Sequence, residues 1–182
     1  TILDAAKEAG VMIPTLCHLD LHDLKFVNRT ASCRVCMVEV EGQPNLAPAC
    51  ATPIKDGMVI KTDTLKAINA RRMAVELFLS NHPTDCLVCP KNLHCELQEL
   101  AQRLSVREIK YTGTAMTTHL DTSSQSLVRN QNKCILCRRC ETACNEIQTC
   151  GILSALNRGF ETIVGPAFNL PMVHTSCTYC GQ

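Results

Sequence analysis

The sequence predicts an α+β chain built from three small cysteine-rich units, and three observations carry that reading. Fourteen cysteines in 182 residues fall into three groups with different spacings, a density well above that of an ordinary globular chain. The segment CMVEVEG alternates apolar and acidic residues as a half-buried strand does. Two further segments, TLKAINARRMAVELFLSNH and ELQELAQRL, space their apolar residues as helices do and contain no interior Gly or Pro.

Composition removes several function classes. A hydrophobic content of 46% is enough for a buried core. A net charge of +1, with four Phe, two Tyr and no Trp, supplies neither the field nor the stacking platform that nucleic acid needs. The opening TILDAAKEAG is amphipathic and charged, without the apolar run of a signal peptide. A disulfide framework is therefore the weaker reading of the cysteines, and a cytoplasmic location is expected. The longest apolar stretch, MAVELFLS, is interrupted by Glu76 and falls far short of the roughly 20 residues that span a bilayer. No transmembrane segment is expected. The basic pairs Arg71-Arg72 and Arg138-Arg139 read as solvated faces, with docking contacts the alternative.

The elements follow in order. Ile2, Ala6, Ala9 and Ile13 mark a short helix that Gly10 loosens and Pro14 closes. This pattern is already under way at Thr1, so the N-terminus is expected to be that of a fragment. Val38 and Val40 alternate with Glu39 and Glu41 in a strand, Gly42 and Pro44 supply a hairpin turn, and a second strand is expected over Met58 to Lys61. Residues 1–62 thus form a first α+β unit that lacks its opening strands. Asp63 is the expected N-cap of the long helix, with Leu65, Ile68, Val75 and Leu79 near one face. Leu97, Leu100 and Leu104 stripe the next helix. The helical unit spans 63–118, with residues 105–125 read as a connector. In the third unit, 119–182, ILSALNRGFETIV suggests a hairpin turning at Asn157 to Gly159.

The cysteine groups carry the chemistry. Cys17, Cys33, Cys36 and Cys50 form C-x15-C-x2-C-x13-C. Four thiolates hold either zinc or an iron–sulfur core, and a single C-x2-C does not choose between them. The small residues Ala31 and Ser32 let the backbone close around an inorganic core and aim N–H groups at sulfur, which favours a 2Fe-2S cluster. His82, Cys86, Cys89 and Cys95 form H-x3-C-x2-C-x5-C, a set that fits a Cys3His zinc site or a 4Fe-4S cluster. His82 is preferred to His94, because His94 adjoins Cys95 and neighbouring side chains point apart. A neutral imidazole in place of a thiolate would raise the potential of such a cluster.

Cys134, Cys137 and Cys140 form C-x2-C-x2-C, a poor match to a tetrahedral ion and a good match to three corners of a cubane. In the two-cluster pattern the following cysteine, here Cys144, ligates the other cluster, and Cys177 and Cys180 begin the second copy of the run. Asn145 stands where the simple bacterial pattern has Pro. Cys150 is left over and reads by default as an inert buried thiol. Two cubanes need two more cysteines, nominally three and seven residues beyond Cys180. There is no nucleophile–base pair, Gly-rich phosphate loop or dinucleotide fingerprint, so no catalytic residue is expected here.

The order of these groups, with ASCRVCMVEVEG, HPTDCLVC and CETACNEIQTCGILSALNRGF, resembles the accessory iron–sulfur region of FeFe-hydrogenase catalytic subunits. The similarity is to the NAD(P)-linked and electron-bifurcating multisubunit members, and it covers nearly the whole chain. The same modular region is found in the large iron–sulfur subunit of complex I and in NAD-dependent formate dehydrogenase. The resemblance implies a β-grasp 2Fe-2S domain, a small helical domain with a His-ligated 4Fe-4S cluster, and a bacterial-type two-4Fe-4S ferredoxin domain whose last two ligands lie beyond residue 182. One of its cubanes would use Cys134, Cys137 and Cys140, the other Cys144, Cys177 and Cys180. It implies partner subunits that bind flavin and NAD(P), a small 2Fe-2S subunit, and a hydrogen-activating di-iron cluster in a following domain. The Cys17 to Cys33 gap is wider than in many relatives, so HLDLHDLKFVNRTA is read as an insertion.

Overall fold

Helix α1, Ile2–Glu8, starts on a capping box in which the Thr1 hydroxyl and the Asp4 carboxylate satisfy each other's backbone N–H groups. The computed structural model describes residues 1–181 other than 22, 23, 25, 27, 29, 30 and 114–119. Most of the expected insertion's tip and the 118/119 unit boundary therefore lie outside the described residues. Helix α1 stops earlier than its apolar spacing suggests, since Gly10 adopts φ 71° and turns the chain away before Ile13.

A three-stranded antiparallel sheet follows, ordered β2-β1-β3, with β1 Met37–Val40, β2 Ala47–Pro48 and β3 Ile60–Lys61. Val38 pairs with Ala47 on one side of β1 and Val40 with Ile60 on the other. Val38 and Val40 point inward as their alternation requires. Strand β2 is too short and too proline-rich to show a period of its own. Ile2, Ile13, Val38, Val40 and Ala49 make the first core together with Cys36 and Cys50.

Helix α2 spans Leu65–Ser80, and its cap is Thr64, whose side chain accepts from the Ala67 N–H, not Asp63. The buried face is Ala67, Arg71, Val75 and Glu76, whereas the expected face residue Leu65 is 73% exposed. Neither basic pair is a solvated face. Arg71 is buried and its Nε donates to Met37 O, tying α2 to β1, while Arg72 Nε donates to Leu104 O beyond α3. Helix α3 spans Glu96–Arg103 and buries Leu97 and Leu100. With Leu16, Val35 and Val75 they form a second core that contains Cys17 and Cys33 and against which Cys95 and Cys137 pack.

The third unit is held by two short hairpins. Leu120–Asp121 (β4) pairs with Arg129–Asn130 (β5), so the stretch read as connector contains a strand of two residues. Ser154–Leu156 (β6) pairs with Ile163–Gly165 (β7) around the expected turn, where Asn157 and Gly159 take φ 59° and 63°. Helix α4, Arg139–Thr142, runs into a π-helical turn over Ala143–Ile147. Among the described residues no helix is long and apolar enough to cross a membrane.

Candidate metal centres

Cys17, Cys33, Cys36 and Cys50 are all buried, at 1%, 4%, 0% and 4% exposure. Residues 31–36 wrap toward them through left-handed turns at Ala31 and Arg34. The sulfurs of Cys36 and Cys50 are 3.3 Å apart, and Cys17 lies within hydrogen-bonding reach of Cys33 and Cys50. The set divides between the two cores, Cys36 with Cys50 in the first and Cys17 with Cys33 in the second. Two thiol pairs suit a two-iron core. Backbone N–H groups face the sulfurs, from Ala31 to Cys50 at 3.3 Å and from Cys33 and Ser32 to Cys17. The Cys33 and Cys50 thiols hold Cys17 far below its usual pKa, and Cys17 in turn pushes both of theirs up.

At the end of α2, His82 carries a buried ring Nδ1 without any hydrogen-bond partner. Burial, with Lys133 second, pushes its pKa down, so the imidazole is in the neutral form that ligates metals. His94 is exposed. Cys86 opens a 3-10 turn through Val88, and Cys95 is the N-cap of α3. An orphaned buried nitrogen on the element leading into three thiols fits a metal centre. Among the described residues no three His, Cys, Asp or Glu side chains meet the geometry of a single ion.

In the third unit a left-handed residue sits inside each short cysteine loop, Leu136 (φ 53°), Arg138 (φ 60°) and Tyr179 (φ 50°). The strain, about 1–2 kcal/mol for a non-Gly residue, turns the backbone back onto sulfur. Leu136 N–H donates to Cys134 Sγ and Tyr179 N–H to Cys177 Sγ, each at 3.4 Å, and Ile152 N–H donates to Cys144 Sγ at 3.3 Å. Arg138 is also held by a bidentate pair with buried Glu141. A cavity of about 400 Å³ is lined by Cys134, Cys140, Cys144, Cys177 and Cys180. Cys150 lines it too, half-buried and not fully buried as expected, with its Sγ donating to Gln148 O.

Three charged residues next to cysteines, Asp85, Glu96 and Lys133, escaped the sequence reading, and Arg139 is engaged where a solvated face was expected. Lys133 pairs with Asp85 and Arg139 with Glu96, each at 2.6 Å. The signal was present as opposite charges flanking cysteines of two different groups, Asp85-Cys86 with Lys133-Cys134 and Cys95-Glu96 with Arg139-Cys140.

Thiols gathered in a buried set in the first unit and around a cavity in the third, with main-chain N–H groups turned onto several sulfurs, suit iron–sulfur clusters. Residues 1–65 match the family described as 2Fe-2S iron-sulfur cluster binding domain, and residues 71–110 match the NADH-ubiquinone oxidoreductase-G iron-sulfur binding region. Residues 1–65 and 71–110 are therefore similar to two iron–sulfur binding regions that lie one after the other along the chain. It is 57% identical over 182 residues to the NADP-reducing hydrogenase subunit HndD of Solidesulfovibrio fructosivorans, covering 100% of this chain and 31% of that protein. It is 37% identical to the NADPH-Fe(3+) oxidoreductase subunit alpha of Geobacter sulfurreducens (strain DL-1 / KN400), covering 100% of this chain and 21% of that one. A chain from the NAD+-reducing [NiFe]-hydrogenase in the H2-reduced state superposes with a TM-score of 0.81 at 27% identity, over 92% of this chain and 68% of that chain. The chain thus spans about a third or less of the curated relatives it matches.

Proposed function

We propose that this chain is the iron–sulfur relay of an NAD(P)-linked hydrogenase of the FeFe type, passing electrons between a flavin- and NAD(P)-binding partner and a hydrogen-activating centre in another part of the assembly. The observation that carries this reading is the 57% identity, across all 182 residues, to a subunit named as an NADP-reducing hydrogenase. When bound, iron–sulfur clusters exchange one electron at a time without rearranging bonds in the protein. The chain's own part is to hold, shield and tune them.

In this reading Cys17, Cys33, Cys36 and Cys50 hold a 2Fe-2S cluster inside the joined cores, where burial excludes water. His82, Cys86, Cys89 and Cys95 hold a 4Fe-4S cluster whose imidazole ligand removes one negative charge and raises its potential. Cys134, Cys137 and Cys140 serve one cubane, and Cys144, Cys177 and Cys180 another, each with a further ligand outside this sequence. The N–H groups aimed at Cys50, Cys134, Cys144 and Cys177 stabilise the more negative, reduced form of whichever cluster they face. No side chain in the chain is assigned a bond-making role.

A second reading places the same relay in an NADH-quinone oxidoreductase, which the family match over residues 71–110 favours. Reduction of the anaerobically purified whole assembly, its partner subunits included, separates the two. Bleaching of a broad absorbance near about 400 nm under hydrogen gas supports the hydrogenase reading. Bleaching by NADH or NADPH with no response to hydrogen overturns it in favour of the second, and zinc without iron or sulfide overturns both.

A further inference from the structure

Four residues that ligate nothing connect three of the cysteine groups. Each stands directly beside a proposed ligand in sequence: Asp85 before Cys86, Glu96 after Cys95, Lys133 before Cys134 and Arg139 before Cys140. Across space, Lys133 Nζ donates to Asp85 Oδ1 at 2.6 Å, and Arg139 Nη1 donates to Glu96 Oε1 at 2.6 Å. Arg139 Nε donates in addition to the carbonyl of His18, the residue after Cys17, at 3.1 Å. One guanidinium therefore touches the neighbours of ligands in the first and second groups while flanking a ligand of the third.

We propose that Asp85–Lys133 and Glu96–Arg139 form a two-bridge clamp that fixes the His82, Cys86, Cys89 and Cys95 site against the Cys134, Cys137 and Cys140 site, with Arg139 extending it to the Cys17 site. The inference rests on the relay reading above. Two bridges at opposite ends of the 86–95 loop fix both its distance and its rotation, where one would leave a hinge. The loop needs this, because Cys86 is exposed, Leu87 and Leu93 are 91% and 83% exposed, and the only regular structure inside it is a single 3-10 turn.

The clamp acts on position more than on fold stability. Its acidic side chains are half-exposed, Asp85 at 51% and Glu96 at 52%, and such pairs contribute about 0–1 kcal/mol. Electron exchange between two centres falls off steeply with their separation, so a loosened loop disturbs the relay while the chain stays folded. These four are positioning residues and touch no reacting atom.

The test uses the whole anaerobically purified protein and pulsed EPR of the reduced state, which reads the magnetic interaction between centres. Arg139→Gln and Lys133→Met are expected to keep their iron, sulfide and melting temperature and to lose the resolved inter-centre splitting. Arg139→Lys is expected to retain part of it, and the charge swap Asp85→Lys with Lys133→Asp to restore what Lys133→Met loses. Breaking the same bridge from its other side gives a second readout: Glu96→Gln is expected to lose the same splitting as Arg139→Gln although the two changes move the midpoint potentials of nearby centres in opposite directions, and a splitting that follows the sign of the removed charge overturns the clamp. An unchanged splitting in the Arg139→Gln, Lys133→Met double variant, with full iron and sulfide, overturns the clamp. Failure of the relay reading is recognised separately, as zinc in place of iron and sulfide in the unaltered protein.

Discussion

Burial sets the chemistry of His82, and hydrogen bonds set that of Asp121. The ring Nδ1 of His82 is buried and unpartnered, a state that costs about 1–3 kcal/mol unless a ligand fills it. His82→Cys is expected to keep the cluster of that site and shift its midpoint potential downward, because a thiolate adds negative charge where imidazole had none. EPR-monitored titration checks this, and an unshifted potential would remove His82 from the ligand set. Asp121 is buried, accepts from Ser123 N–H and from Met172 N–H at 2.8 Å, and lies 3.6 Å from Arg129. Hydrogen bonds from Ser123 lead the causes that hold its carboxyl at about 2, below the usual 3.8. A depressed carboxyl stabilises the fold above its unfolded pKa and loses that contribution as pH falls toward its folded one. Asp121→Asn should therefore destabilise the third unit by about 1–3 kcal/mol at neutral pH. In denaturant titrations the gap between the two proteins should narrow as pH drops from about 5 to about 3.

Helix α2 is the element that joins the units. Its buried Arg71 bonds to Met37 O on β1, and the charge of Cys36 acts on its guanidinium. Arg71→Met is expected to lower the potential of the 2Fe-2S site and to loosen the helix from the sheet by about 1–2 kcal/mol, read by redox titration and by melting. At the far end of α2, Gly113 N–H donates to Ser80 O, and a Cβ at Gly113 would fall 2.3 Å from that same carbonyl oxygen. Gly113→Ala must push the segment off the helix end just ahead of His82, with an expected loss of about 2–3 kcal/mol. Thermal unfolding and loss of the His82-site EPR signal measure it.

At the scale of the whole molecule, what sequence revealed was local and what it hid was tertiary. The cysteine spacings and the Val38–Val40 alternation are contiguous patterns, and both are visible as strings. Strands β2, β4 and β5 are two residues each, too short to show any period. Arg71 and Arg72 looked solvated because a long cation at a helix surface is usually so, and only the fold supplies the carbonyls they reach. The bridges from Asp85 to Lys133 and from Glu96 to Arg139 span 48 and 43 residues of sequence, and no spacing rule brings such pairs together. The central claim is that these sites carry iron–sulfur clusters working as a relay, and an EPR-monitored redox titration of the anaerobically purified protein tests it most directly. The account predicts several distinct one-electron steps from both 2Fe-2S and 4Fe-4S centres, the His82 site titrating above the all-cysteine cubanes. A protein that stays EPR-silent across the whole range and carries zinc in place of iron and sulfide would contradict it.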